Sequence, residues 1–375
     1  MKILSKRRFC IVLLLLLGSS FLTLIYYSNQ SLLKCLFTHP FVPVKQSSKT
    51  TNYPFVYDSN NNDKINIADG LKPFPVVIYN RIPKTGSTSL VNLVYQLIEE
   101  KRLYTHVLHL NISTNRHYLN RRNELNLVNN LTHWTSMHPL MIHGHFAYIN
   151  FKKYGSSLNP IYINMIRNPL DRLVSYYYFL RYGDDYRPYL FRKRMSDPVT
   201  RNQTFDECVR MKGSDCNPQL LWVQVPFFCG PAAYCRIPGN PTAVETAKRR
   251  VIEQYLIVGL TEKFGELIHL LEVLLPSFFS GALELISRSP DKWYLRRTNY
   301  KLSINQKTIE FFQKNSIWQA EQEFYDFVSQ EFFALLNVIQ SHPSGKTSPR
   351  ISGPYNENLF LIKYAQSRCE LKHFH

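Results

Sequence analysis

Acidic residues are scarce in this chain. Asp and Glu total 27 against 45 Lys and Arg, a formal net charge of +18 over 375 residues. That shortage works against a cationic partner and points to a polyanion or an anionic membrane surface. The Walker A order, G-x-x-x-x-G-K-[ST], is also missing: the Lys of the one phosphate-sized loop, Lys84, precedes its Gly, Gly86, and the loop has no earlier Gly. This disfavours a nucleotide kinase of that type. The seven cysteines form no short C-x₂₋₄-C pair, so a zinc site is not expected and no metal site is assigned. No internal repeat is present, which sets aside a repeat architecture.

What stands out instead is Val76 to Leu90, VVIYNRIPKTGSTSL. A β-branched apolar run stops at a Pro-Lys-Thr-Gly-Ser-Thr-Ser turn, and an apolar helical pattern follows. The turn offers backbone N–H groups, the hydroxyls of Thr85, Ser87, Thr88 and Ser89, and the cation of Lys84. Exposed N–H groups at a helix N-terminus and the helix dipole attract anions, so a phosphate or sulfate is the expected ligand. The plain alternative is a strand-to-helix turn capped by Ser or Thr.

The N-terminus narrows the choice of polyanion. Residues 9–27 carry no charge and follow Lys2, Lys6, Arg7 and Arg8. The length suits a membrane span with residues 1–8 in the cytosol. The apolar run continues past Gly18-Ser19-Ser20, unlike a cleaved signal peptide, so an uncleaved anchor is expected. The rest would then be luminal. Cys208, Cys216, Cys229 and Cys235 cluster as two local disulfides would in an oxidising compartment. Proximity pairs Cys208 with Cys216 and Cys229 with Cys235, although four cysteines permit three connectivities. Sequons at Asn29, Asn111, Asn130 and Asn202 become plausible glycan sites under that topology. A nucleic-acid partner fits none of this.

Residues 28–72 are rich in Ser, Asn, Thr and Pro without periodicity and read as a stem. The globular part is expected over 73–341, followed by a tail, 342–375. A strand is predicted from Val76 up to the Pro-Lys-Thr-Gly-Ser-Thr-Ser turn, and further strands at 105–110, 140–145, 161–166 and 255–259. Helices are predicted at 89–102, 116–130, 169–180, 243–253, 263–275 and 306–340. The region 186–235 reads as loop-rich, basic and disulfide-stapled. The alternation argues for an α/β fold with a central, mostly parallel sheet flanked by helices, with ligands at the carboxyl ends of the strands.

A second constellation is Ile166-Arg167-Asn168-Pro169 followed by Asp171-Arg172-Leu173-Val174-Ser175. Arg167 at a strand end can fork onto a phosphate, and Ser175, two helical turns on, can add a hydrogen bond. The alternative is a surface pair between Arg167 and Asp171. One loop for a 5′-phosphosulfate and an Arg/Ser pair for a 3′-phosphate resembles the sulfotransferases that use 3′-phosphoadenosine 5′-phosphosulfate. The longer motifs YNRIPKTGSTS, HVLHLNIS, HGHFAYINFKKYG, RNPLDRLVSYYYFLRYGDDYRP, TFDEC, GSDC and PFFCG resemble the heparan sulfate 2-O-sulfotransferase family over about residues 70 to 340.

That resemblance implies a P-loop-like sulfotransferase fold and a set of roles. Lys84 would contact the sulfonate and the bridging oxygen. Thr85, Gly86, Ser87, Thr88 and Ser89 would line the 5′-phosphate, and Arg167 and Ser175 would bind the 3′-phosphate. His145 would be the catalytic base, with His143 supporting it. Arg81, Tyr95, His109, Arg187, Arg192 and Arg296 would contact the acceptor saccharide. Leu295 to Thr298 resembles a family loop that closes over the nucleotide, adding Thr298 and Lys301, although its flanks depart from the family pattern. The family also implies a type II Golgi membrane protein, a homotrimer, and heparan sulfate as the partner chain.

Elementary chemistry points the same way for His145. A sugar hydroxyl is a poor nucleophile near neutral pH, and imidazole is the usual group to take its proton. The basic residues Lys152, Lys153, Arg187, Arg192, Lys193, Arg194, Arg296 and Arg297 suit a track for a sulfated chain. Two rivals remain: a uronyl 2-O-sulfotransferase acting on dermatan or chondroitin sulfate, and a non-catalytic glycan-binding membrane protein.

Overall fold

A computed structural model describes residues 75–101, 103, 105–111, 118–192, 194–195, 198–288, 295, 298 and 300–341. The predicted anchor 9–27, the stem with Asn29, the tail 342–375, Lys193, Arg296 and Arg297 lie outside the described residues. Among those described, no helix is long and apolar enough to cross a membrane.

Five strands form one parallel sheet: β1 (Val76–Asn80), β2 (His106–Leu110), β3 (Leu140–Gly144), β4 (Ile161–Ile166) and β5 (Tyr255–Leu260), in the order β2-β3-β1-β4-β5. Every residue of β1, β3 and β5 is buried. Strands covered on both faces need a continuous apolar run rather than alternation, and VVIYN and YLIVGL supply it. The main helices are α1 (Ser87–Lys101), α2 (Arg121–His133), α3 (Pro169–Tyr182), α4 (Pro241–Gln254), α5 (Phe264–Leu274), α6 (Gln306–Gln313) and α7 (Ser316–Ser341). Leu90, Leu93, Val94 and Leu97 of α1 are buried on one face, as their spacing predicts.

The chain builds the β2 side of the sheet, then crosses past β1 to β4 and β5. The switch falls between β1 and β4, where a crevice opens above the carboxyl ends. Asn80, the last residue of β1, is tied across that edge. Its side-chain oxygen accepts from Asn164 Nδ2 and Tyr255 Oη, both at 3.0 Å.

Several expectations need correction. The helix predicted over 306–340 is two helices, because Asn315 caps the second one: its Oδ1 accepts from the backbone N–H of Ile317 at 3.0 Å. The predicted helix over 116–130 starts at Arg121, where Asn120 Oδ1 accepts from Asn123 N. The strand predicted to end at His145 ends one residue earlier, at Gly144. Within 186–235 the chain also forms short helices at Pro198–Asn202, Phe205–Arg210 and Gln224–Cys229. The second of these carries a capping box between Thr204 and Glu207. Cys208 bonds to Cys216 and Cys229 to Cys235, the pairing expected from proximity. Asn111, Asn130 and Asn202 are exposed.

Candidate active site

The loop after β1 takes an unusual path. Lys84 (φ 67°) and Gly86 (φ 77°) both adopt left-handed conformations. For a lysine this costs on the order of 1–3 kcal/mol. Local hydrogen bonds of about 1 kcal/mol each offset it: Thr85 Oγ1 donates to Ile82 O (3.0 Å), and the Thr261 hydroxyl lies 2.8 Å from Thr85 O. The same hydroxyl lies 2.9 Å from Ile166 O, the last carbonyl of β4, so Thr261 staples the loop to the neighbouring strand end. At Gly86 a Cβ would sit 3.3 Å from Met165 Cε, in a backbone conformation that other residues rarely adopt.

This loop opens into a cavity of about 770 Å³. Lys84, Gly86, Ser87, Thr88 and Ser89 line it from the β1 side. Arg167 and Ser175 line it from β4 and α3, and Arg81, His145 and Arg192 reach the same space. Thr298 and Lys301 close it from the later loop. Thr85 does not belong to this wall: it is fully buried, and its hydroxyl turns inward to Ile82. Arg167 is not the exposed partner of Asp171. Its Nη1 donates to Lys84 O at 3.4 Å, joining the two anion loops. Burial and the neighbouring Arg167 guanidinium push the Lys301 ammonium below its ordinary pKa, while Asp171 opposes the shift. A space walled by Lys84, Arg167, Lys301 and loop hydroxyls is suited to a multiply anionic ligand.

The histidines are arranged around Arg81. Its backbone N–H donates to Gly144 O (2.7 Å), and its carbonyl lies 2.8 Å from His145 Nδ1. A carbonyl only accepts, so Nδ1 carries the proton and the lone pair of the neutral ring sits on Nε2. The Arg81 side chain turns the other way, with Nη1 3.3 Å from His143 Nδ1. A guanidinium only donates, so His143 presents its lone pair there and its Nε2–H to Tyr95 Oη, at 3.1 Å. His109, opposite His143 in the β2–β3 register, stacks on it with centroids 4.6 Å apart. The strands approach this closely because Gly144 lacks a Cβ, which would meet Leu110 O at 2.7 Å.

These surroundings separate the two rings. His143 is 2% exposed, and its pKa is pushed down to about 3 by burial, then by Arg81, His109 and His145. It is neutral and cannot take up a proton near neutral pH. His109 is also lowered, by burial first and then by Arg81 and Arg187. His143, His109 and Tyr95 therefore form a neutral cluster behind Arg81, while Arg187 lies on the exposed loop beyond α3.

Sequence reasoning missed several residues. Arg172, Tyr176 and Phe179 line the cavity beside the predicted Ser175, all four from one stripe of α3. Their i, i+3, i+4, i+7 spacing was a legible signal. Gln224 left no local signal, yet it clamps Arg167: its Oε1 accepts from Arg167 N and its Nε2 donates to Arg167 O, both at 2.9 Å. Behind it lies Glu321 of α7, fully buried, accepting from the N–H groups of Val223 (2.9 Å) and Val225 (3.1 Å). Burial raises the Glu321 carboxyl to about 7, against the pull of Arg172 and these donors.

Comparison with known proteins agrees with this geometry. The profile described as the sulfotransferase family matches residues 71–327. A heparin sulfate O-sulfotransferase of Drosophila melanogaster is 44% identical over 294 residues, covering 78% of this chain and 81% of the relative. Heparan sulfate 2-O-sulfotransferase 1 of Gallus gallus is 47% identical and that of Homo sapiens 46%, each over 68% of this chain and 70% of the relative. With the cavity, both anion loops and His145 inside the matched region, the chain belongs to the sulfotransferase family, in its heparan sulfate 2-O-sulfotransferase branch.

Proposed function

We propose that this protein transfers sulfonate from 3′-phosphoadenosine 5′-phosphosulfate to the 2-hydroxyl of a uronic acid, mainly iduronate, in heparan sulfate. The observation that carries this reading is the opening of Lys84, the Arg167–Ser175 pair and His145 into one cavity. Its volume of about 770 Å³ suits a nucleotide donor. The names and identities of the relatives support the acceptor assignment.

The chemistry falls to this chain's own residues. Lys84, Gly86 and Ser87 to Ser89 hold the 5′-phosphosulfate, while Arg167, Ser175, Thr298 and Lys301 hold the 3′-phosphate end. Arg81, Tyr95, His109, Arg187, Arg192 and Arg296 bind the acceptor. His145 Nε2 takes the hydroxyl proton as the sugar oxygen attacks sulfur. The sulfur–oxygen bond to the 5′-phosphate breaks, and Lys84 stabilises the charge left on that oxygen. The products are the O-sulfated sugar and 3′-phosphoadenosine 5′-phosphate, with the proton on His145. In-line geometry and preorganised positive charge supply most of the catalysis. His143 supports this site as a neutral brace for Arg81 rather than as a second base.

The protein is further assigned to the Golgi membrane as a single-pass type II protein assembled as a trimer. The sequence span 9–27 and the family resemblance support the topology, and the paired cysteines and exposed sequons fit a luminal domain. Offering labelled donor with desulfated heparan, dermatan and chondroitin chains in turn tests the acceptor. Label at the 2-O position of heparan uronates is expected. Label confined to dermatan or chondroitin would sink the acceptor assignment.

A further inference from the structure

The ring of Phe179 faces two cations. Lys84 Nζ lies 4.3 Å from its centroid and Arg192 Cζ lies 4.5 Å away. The two cationic centres are therefore no further apart than the sum of those distances. All three side chains line the cavity that contains His145. Phe179 stands one turn beyond Ser175 on α3, and Arg192 is also held by the buried Asp184, Nη2 to Oδ2 at 3.6 Å.

Like charges this close repel each other, and the negative face of an aromatic ring is one of two ways to hold them. The other is a carboxylate. Arg192 has both, the Phe179 ring and Asp184 Oδ2 at 3.6 Å. The shared ring thus positions the ammonium and the guanidinium beside one another at the cavity wall.

We propose that Phe179 is a positioning residue that couples the donor side of the site to the acceptor side. This rests on the functional reading above, in which Lys84 serves the donor and Arg192 the acceptor. When the donor's phosphate draws the Lys84 ammonium away, the ring face and the local field are left to Arg192, and acceptor binding tightens. Linkage makes the effect reciprocal: bound acceptor tightens the donor side by the same factor.

The test is calorimetric binding of a 2-O-desulfated heparan oligosaccharide, with and without saturating 3′-phosphoadenosine 5′-phosphate. Wild-type protein should bind the oligosaccharide about 3- to 30-fold more tightly with the nucleotide, the range a cation–π contact covers. Phe179→Leu should bring that ratio close to one, and Phe179→Tyr, which keeps a ring, should retain it. Phe179→Met replaces the Leu variant if the latter does not fold. A wild-type ratio of one, or a wild-type ratio preserved in Phe179→Leu, overturns the proposal. Lys84→Ala separates the two levels. Unchanged nucleotide affinity in that variant removes Lys84 from the donor site. Weakened affinity there, with coupling intact in Phe179→Leu, removes only the role of Phe179.

Discussion

At the scale of single residues, Arg81 organises the site. Its main chain fixes the tautomer of His145 and its side chain takes the lone pair of His143. Two histidines separated by one glycine thus receive different protonation chemistry, and the neutral state of His143 has a consequence for stability. Its folded pKa is lowered to about 3 from an ordinary 6.5. The unfolded chain therefore binds a proton that the folded one refuses. This contribution is fully present above about pH 6.5 and is lost as pH falls toward about 3. His143→Gln keeps an acceptor for Arg81 and a donor for Tyr95 but cannot ionise. The drop in thermal midpoint between pH 7.5 and pH 5 should therefore be smaller in that variant than in wild type. Equal drops would mean that His143 is protonated in the folded protein.

At the scale of elements, the two loops proposed to grip the donor are held by parts distant in sequence. Thr261 ties the β1 loop to β4, and Gln224 clamps the backbone of Arg167 with Glu321 of α7 behind it. Gln224→Ala should weaken 3′-phosphoadenosine 5′-phosphate binding about tenfold, the scale of one to two lost hydrogen bonds. Binding of adenosine 5′-phosphate, which lacks the 3′-phosphate, should stay near wild type. Equal losses for the two nucleotides would make Gln224 a packing residue only. The contrast with the elements that were legible is physical. β1, β4 and β5 announce themselves as continuous apolar runs, and α3 by Pro169 after a capping Asn168. The break before Ser316 was hidden because the amphipathic pattern runs on through it, and a single Asn315 cap decides it. Gln224 and Thr261 act through contacts made only in the folded chain, so no local pattern marks them.

At the scale of the whole molecule, excess positive charge and the topology of the sheet serve one end. The order β2-β3-β1-β4-β5 brings the loop after β1, His145 after β3 and Arg167 after β4 to neighbouring carboxyl ends. The spacing of PKTGSTS, His-Gly-His and Arg167–Ser175 made most of that constellation readable before folding. The inward turn of Thr85 and the bracing role of His143 were not, because both depend on what packs behind the loop. The most direct measurement compares wild-type protein with His145→Ala in two assays: calorimetric binding of 3′-phosphoadenosine 5′-phosphate, and donor-dependent labelling of heparan followed by analysis of the 2-O position. A base at His145 predicts nucleotide affinity within about threefold of wild type, less than one hydrogen bond to a charged group, together with loss of 2-O label by at least about a hundredfold. Wild-type labelling by His145→Ala would contradict it.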